Sequence, residues 1–331
     1  MPKTIYDIAK EANVSIATVS RVFNNSGSVR ESTREKILQI ADDLGYHPHA
    51  YAQGLASKRK NYIMMLVPVM SNYFFTEILK GAQGVLANYD IELSIVNIKQ
   101  DQDSLEQVEQ ILKRKWADGY LLASLHLSED DLKKLERFNV PISLLDDYSP
   151  CFDSVSFNNE EGGYMAAGYL LKKGFQRIAL ISGKSDSIPL TYRVSGYRRA
   201  LAEFNVPFDP NLIISGKSMD RDGFTERAGY EAMQKVLNLD PVPDAVFCSS
   251  DIKALGALKA MDDRNRHLPI VSYDNLSISE YVGLSTIHQP MYDMGFQATK
   301  NLLERIHEPD KEDICNQIHG PELIIRPSSE V

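Results

Sequence analysis

The sequence predicts a small all-α head followed by a larger α/β body in two lobes, and three observations carry that prediction. Residues 1–46 hold three short apolar stripes at helical spacing. From residue 62 onward, apolar strand-like runs alternate with amphipathic stretches, the pattern of parallel sheets covered by helices. At 331 residues the chain is too long for one ordinary core, and that length suits about two or three domains.

In the head, Thr4 is placed to cap a helix whose apolar stripe is Ile5, Ile8, Ala9 and Ala12, ending near Glu11. Ala12, Asn13 and Val14 make a tight connection, after which Ser15 can cap a second helix that buries Val19, Val22 and Phe23. A third stripe, Ile37, Ile40, Ala41 and Leu44, stops at Gly45, a residue suited to a helix end. Two short helices so closely joined form a helix-turn-helix. The second helix leaves Ile16, Ala17, Ser20 and Arg21 exposed, with Ser15 and Thr18 at the margin. Hydroxyls and helix-end N–H groups suit phosphate oxygens, an arginine can fork onto guanine O6 and N7, and small apolar side chains can touch a thymine methyl. On periodicity alone, a generic three-helix bundle with a solvated face would read the same way.

Charge distribution favours the nucleic-acid reading. The net charge of −9 is unevenly spread: residues 1–60 carry nine Lys or Arg against six Asp or Glu, a balance of +3, and the remainder stands at −12. A phosphate-facing head and a body that repels DNA would show that asymmetry.

The stretch IYDIAKEANVSIATVSRVFNNSGSVRESTREKILQIADDLGYHP resembles the heads of LacI/GalR-family repressors almost position for position, above all in VSIATVSRVFN and LGYHP. The resemblance implies that Ile16, Ala17 and Arg21 read bases in the major groove while Ser15, Thr18, Ser20 and Asn24 meet the backbone. Asn13 stands where the family usually has Gly; Asn is the next most tolerant residue of a left-handed backbone, so the turn is expected to survive. Residues 47–60 match the family's hinge. A short segment containing Gly54 cannot hold a helix alone, because nucleation is costly, and it is expected to be unfolded off DNA. By the resemblance it folds on the operator, with Ala52 and Leu55 at the DNA and Leu55 as the apolar wedge of a kinked base step. His49 and Gln53 replace the Asn and Arg most often found there.

In the body, strands are expected at 62–69, 91–98, 119–124, 142–145, 177–182, 245–250 and 269–274, with helices near 75–88, 103–115, 158–173, 192–204, 222–238 and 251–262. The count is too large for one compact sheet. The last quarter, with LSTIHQPMYDMGFQATKNLLERI and then ELIIRP, resembles the family's returns to the first lobe and again to the second. The implied fold is a type I periplasmic-binding-protein-like sensor. Lobe 1 spans about 61–157 and 288–318, and lobe 2 about 158–287 and 319–331. Ligands of such folds sit in crevices beyond the strand ends. Motif matching places Phe74, Phe75, Asn158, Arg193, Phe224, Ser250, Asp274 and Gln289 in that crevice: an aromatic face for a sugar ring, with Arg, Asp and amides for its hydroxyls. Asn158 stands where Asp is frequent, and Ser250 where Asn binds sugar. Phe74 and Phe224 could equally be core.

Other function classes find little support. SGKS occurs at 182–185 and 215–218 without the earlier glycine of a phosphate loop, no GxGxxG follows a strand, and no HExxH occurs. Three well-separated cysteines and scattered histidines suggest neither a disulfide framework nor a metal site. No catalytic residue, cofactor or metal is therefore expected. No run approaches the roughly 18 apolar residues of a membrane span, and the N-terminus lacks a signal-like apolar core, so a cytoplasmic protein is expected. The partners expected are a pseudo-palindromic double-stranded operator, a small effector of carbohydrate type, and a second copy of the chain, since no leucine-heptad tail points to a tetramer. A catabolite-control regulator governed by a phosphocarrier protein would share the same head and hinge, and a cytoplasmic α/β sugar-modifying enzyme is the remote alternative.

Overall fold

The computed structural model describes residues 3–23, 27–46, 60–68, 73–99, 102–183, 188–217 and 224–330. The head folds as α1 (Ile5–Ala12), α2 (Ile16–Phe23) and α3 (Glu31–Asp43). Its core is Ile8, Ala9, Ala12, Val19, Val22, Ile37 and Ala41, all buried, so one face of each helix is spent on its neighbours. Asn13 takes the left-handed conformation the turn needs, with φ 56°. Lys36 Nζ donates to the Ala12 carbonyl across that turn at 3.1 Å, fixing α3 against it. Gly45 closes α3 with φ 61°, a backbone position that suits glycine.

The body contains two six-stranded sheets. The first is assembled from β1 (Tyr62–Val67), β2 (Glu92–Asn97), β3 (Gly119–Ala123), β4 (Ile142–Leu145), β5 (Asp153–Phe157) and β11 (Asn316–His319), in the order β11-β5-β4-β3-β1-β2 and parallel throughout. Around it lie α4 (Tyr73–Leu86), α5 (Ser104–Arg114), α6 (Glu129–Leu135) and the late helix α12 (Met291–His307), which packs on α4 and on the central strands. The second sheet uses β6 (Ile178–Ser182), β7 (Ile213–Ser215), β8 (Ala245–Cys248), β9 (Ile270–Asp274), β10 (Ser285–His288) and β12 (Glu322–Ile324), ordered β12-β10-β9-β8-β6-β7. Only β12 runs antiparallel, against β10. It is flanked by α7 (Asn159–Lys172), α8 (Ile188–Glu203), α9 (Glu226–Leu237), α10 (Asp251–Asp263) and the short α11 (Ser277–Tyr281).

The chain passes between the sheets three times: from β5 into α7, from β10 into α12, and from β11 into β12. Central strands such as YIMMLV and IALIS are buried along nearly their whole length, as parallel strands covered on both faces must be. Phe157, at the end of β5, meets Tyr273 of β9 edge to face at 6.1 Å between centroids. The two cores are thereby joined into one apolar cluster beneath the crossings. Five strands lie outside the runs expected from sequence: β5, β7, β10, β11 and β12. β7, β11 and β12 are short edge strands, and β5 carries Asp153, Ser154 and Ser156 where an apolar run would be looked for. The expected helix at 222–238 begins only at Glu226, capped by the Thr225 hydroxyl, and that at 192–204 begins earlier, at Ile188.

Candidate functional site

On the head, the Ser15 hydroxyl accepts from Thr18 N at 3.1 Å and shares a 2.8 Å hydrogen bond with the Thr18 hydroxyl. This cap starts α2 and orients its first turn outward. Val19 and Val22 face the core, which leaves Ser15, Ile16, Ala17 and Arg21 exposed and Thr18 and Ser20 half-buried. Ile16 keeps 41% of its surface open on that outward face. Asn24, Ala52 and Leu55 lie outside the described residues.

In the body, the expected effector residues divide into those that meet and those that do not. Arg193, on α8, is buried and its guanidinium is shared among four groups. Its Nε donates to Asn159 Oδ1 at 2.9 Å, Nη1 to the Ser249 carbonyl at 2.5 Å, and Nη2 to Gln289 Oε1 at 3.2 Å. The fourth is Asp274, whose Oδ1 lies 3.8 Å from Nη1. Asn159 opens the first crossing and Gln289 the second, so one side chain of the second lobe holds both.

Asp274 ends β9 with φ 110°, a conformation unfavourable for any residue with a Cβ. The surroundings hold it there. Asp251 is fully buried and accepts from Leu276 N at 2.8 Å, the Ser279 hydroxyl at 2.6 Å and the Thr286 hydroxyl at 2.7 Å, pinning the loop after Asp274. Arg326 Nη2 donates to Asn275 Oδ1 at 3.0 Å. Backbone strain sustained by such a network is a mark of functional positions. Burial pushes the Asp274 carboxyl up to about 7, against the opposing pull of the Arg193 and Lys253 cations.

Lys253, not singled out in the sequence, is fully buried on α10. Its Nζ donates to the Ser249 hydroxyl at 2.9 Å and lies 3.6 Å from the centroid of the Phe224 ring. One face of the half-buried Phe224 is thus occupied by a cation. Ser250 caps α10, its hydroxyl accepting from Lys253 N at 3.4 Å. Asn158 is spent as the cap of α7, accepting from Glu161 N at 3.0 Å, and its neighbour Asn159 is the amide that reaches Arg193. Phe75 is buried in the apolar core of the first lobe, with Phe74 edge-on against it at 5.2 Å.

Beside that cluster lies a cavity of about 450 Å³. Asp146 and Asp147 line it from the loop after β4, with His126 from the loop after β3, and Tyr192 and Ile188 face them from α8. Asp146 is raised from the ordinary carboxylate range by burial, against the pull of His126, the Ser124 hydroxyl and the Arg193 charge. Burial would lower His126, but the neighbouring carboxylates Asp147 and Asp146 outweigh it and raise its pKa. Among the described residues no group of three or more His, Cys, Asp or Glu is placed to hold a metal, and no helix is long and apolar enough to cross a membrane.

A head with an outward-facing recognition helix, coupled to a body whose charged residues converge between two lobes, defines a DNA-binding regulator with its own ligand sensor. Residues 4–49 match the family of bacterial regulatory proteins, lacI family. Residues 60–312 match the periplasmic binding proteins and sugar binding domain of LacI family. The chain belongs to the LacI family of transcription regulators. It is 33% identical over 318 residues to catabolite control protein A of Priestia megaterium, covering 93% of this chain and 94% of that protein. It is likewise 33% identical over 332 residues to the HTH-type transcriptional repressor PurR of Vibrio atlanticus, covering 98% and 97%. Among solved structures, a LacI-family regulator from Silicibacter pomeroyi superposes with TM-score 0.83 at 25% identity over 98% of each chain. The complex of the regulator CelR with cellobiose gives 0.70 at 27% identity, covering 98% of this chain and 99% of that one.

Proposed function

We propose that this chain is a cytoplasmic repressor that binds a pseudo-palindromic operator as a homodimer and responds to a carbohydrate held between its lobes. The carrying observation is the pairing of buried Arg193 with half-buried Asp274 at the meeting point of two crossings. A paired donor and acceptor suit vicinal hydroxyls, and their place on the crossings lets occupancy bias the angle between the lobes. The exposed Ile278, Tyr281 and Val282 at and just after α11, with Tyr281 84% exposed, offer an apolar face to a second copy. Relatives of equal identity include both a catabolite control protein and a repressor, so overall similarity does not choose the effector.

The test measures operator affinity with and without sugar and sugar affinity with and without operator. Equal and reciprocal factors are expected, because coupling is symmetric. Sugar should weaken operator binding, as closure of the lobes draws the paired hinges apart. Operator binding that ignores every sugar and responds to a phosphorylated carrier protein would replace this reading with the catabolite-control one.

A further inference from the structure

The body is acidic overall, yet the sequence holds two Lys-Arg-Lys runs, one at 58–60 at the end of the hinge and one at 113–115 inside the body. The fold ties the second to the end of the first. We propose that Arg114, Lys115 and Trp116, at the C-terminal end of α5, form a second DNA-contacting surface that holds phosphates of the operator between its half-sites. Resting on the operator-binding reading above, this adds a contact made by the body to those made by the head.

The joint itself comes first. Lys60 Nζ donates to the Lys115 carbonyl and, at 3.1 Å, to that of Ala117, a cation set on the open end of α5. From the other side Asp118 accepts from Lys60 N at 2.8 Å and from Tyr62 N at 3.3 Å. Between those two donors Asn61 turns the chain with φ 55°, and Lys115 ends α5 with φ 48°. Two left-handed residues, each uncommon away from glycine, are thus tied together where the chain enters the body. The basic run on α5 is therefore fixed to the end of the hinge.

That run faces outward with its charge intact. Arg114 and Lys115 are exposed. The Arg114 guanidinium lies over the Trp116 ring, 4.8 Å from its centroid, and Trp116 is itself 45% exposed. Stacking holds the guanidinium in place in advance of a partner, which lowers the cost of ordering it on a phosphate. The neighbouring acids are already engaged: Asp118 with the two backbone N–H groups, and Glu109 with Arg137 and, at 3.4 Å, with Lys113. The exposed Asp90 and Glu92 stand across β1, at the start of β2.

Reach decides the partner. Leu55, read as the minor-groove wedge, precedes Lys60 by five residues, a span of about 8 Å as helix and at most about 18 Å extended. The end of α5 then sits beside the phosphates that border that groove. An acidic body held so close would repel them within a screening length of about 8–10 Å. An exposed arginine and lysine at the point of approach reverse that sign, and they suit phosphate oxygens whatever the sequence.

The test uses the full chain and a duplex that the unsubstituted protein selects from a randomised library. The double variant Arg114→Gln, Lys115→Gln should lower the slope of log affinity against log salt by about 2 to 4, the loss of one or two phosphate contacts in each subunit of a dimer. Its preference for the selected duplex over a scrambled one should be unchanged. Trp116 is the sole tryptophan, so the unsubstituted chain reports on the same surface: at constant ionic strength the selected duplex should shield its emission from quenching by iodide. An unaltered salt slope in a double variant that unfolds at the usual temperature, or equal quenching with and without duplex, would overturn the body contact and leave DNA binding to the head and hinge. A library that yields no bound duplex at all overturns the operator-binding reading and this surface with it.

Discussion

The guanidinium of Arg193 lies over the ring of Tyr273, its central carbon 3.6 Å from the ring centroid. Tyr273 is fully buried in the second sheet, so the cation that faces the cleft also rests on the core of its lobe. Replacing Arg193 by Ala leaves Gln289 and the Ser249 carbonyl without this donor, Asn159 with only the Tyr273 hydroxyl, and Asp274 without its nearest counter-charge. Breaking a buried pair in this way costs about 3–5 kcal/mol. Denaturant unfolding of Arg193→Ala should show a loss of that size in the body, and calorimetry should show no effector binding. A fully stable variant would show that the four contacts are not made together.

If the effector sits at Asp274, its binding should depend on pH near neutrality. The folded Asp274 value of about 7 lies above the ordinary 3.8, so in the free protein the carboxyl is largely protonated below pH 7. Ligand hydroxyls donate to the ionised form, so affinity should rise through about pH 7, level off above it, and release protons on binding. Stability without ligand runs the other way: it is greatest below the unfolded value and declines as pH rises from about 4 to 7. Asp274→Asn should abolish both trends in parallel titrations at pH 5.5 to 8.5.

Lys253 shifts that midpoint. Its charge lowers the Asp274 value, so Lys253→Met, close in volume and uncharged, should move the affinity midpoint to higher pH. Loss of the contact with Phe224, of cation–π type and about 0.5–2 kcal/mol in general, should also free that ring face. An unshifted pH profile would place Lys253 electrostatically apart from the site.

For the head, Arg21→Ala should weaken operator binding by about 1–3 kcal/mol and relax discrimination at one base pair in each half-site, as loss of a bidentate base contact does. Selection from a randomised operator library reads this directly. Uniform weakening across all sequences would reassign Arg21 to the phosphates.

The head and the central strands were legible in the sequence because their signals are local. Stripes such as Ile5, Ile8, Ala9 and Ala12, and runs such as YIMMLV, record burial on one or both faces. Edge strands are half-solvated and short, and Asn316–His319 or Glu322–Ile324 leave no apolar run to find. At the cleft, Asn158 and Asn159 both line the cavity, but only Asn159 reaches Arg193, and the sequence expectation named only the first. The spacing Asn158 to Glu161 already marks the first as a helix cap, and a cap amide is spent on the backbone, leaving the next residue to point inward. Lys253 carried no such signal, since a lysine on an amphipathic helix reads as solvated until its neighbours are known.

The packing of α7 on α8 leaves no space for a side chain at Gly163 or Gly196. A Cβ at Gly163 would run into the Arg193 backbone carbonyl, and one at Gly196 into that of Glu160. Arg193 therefore owes its register against Asn159 to two residues with no side chain at all. In a living cell this becomes a matter of inheritance: a screen for strains whose operator control no longer answers to the effector should return single alanine or serine codons at these two glycines, with operator occupancy intact.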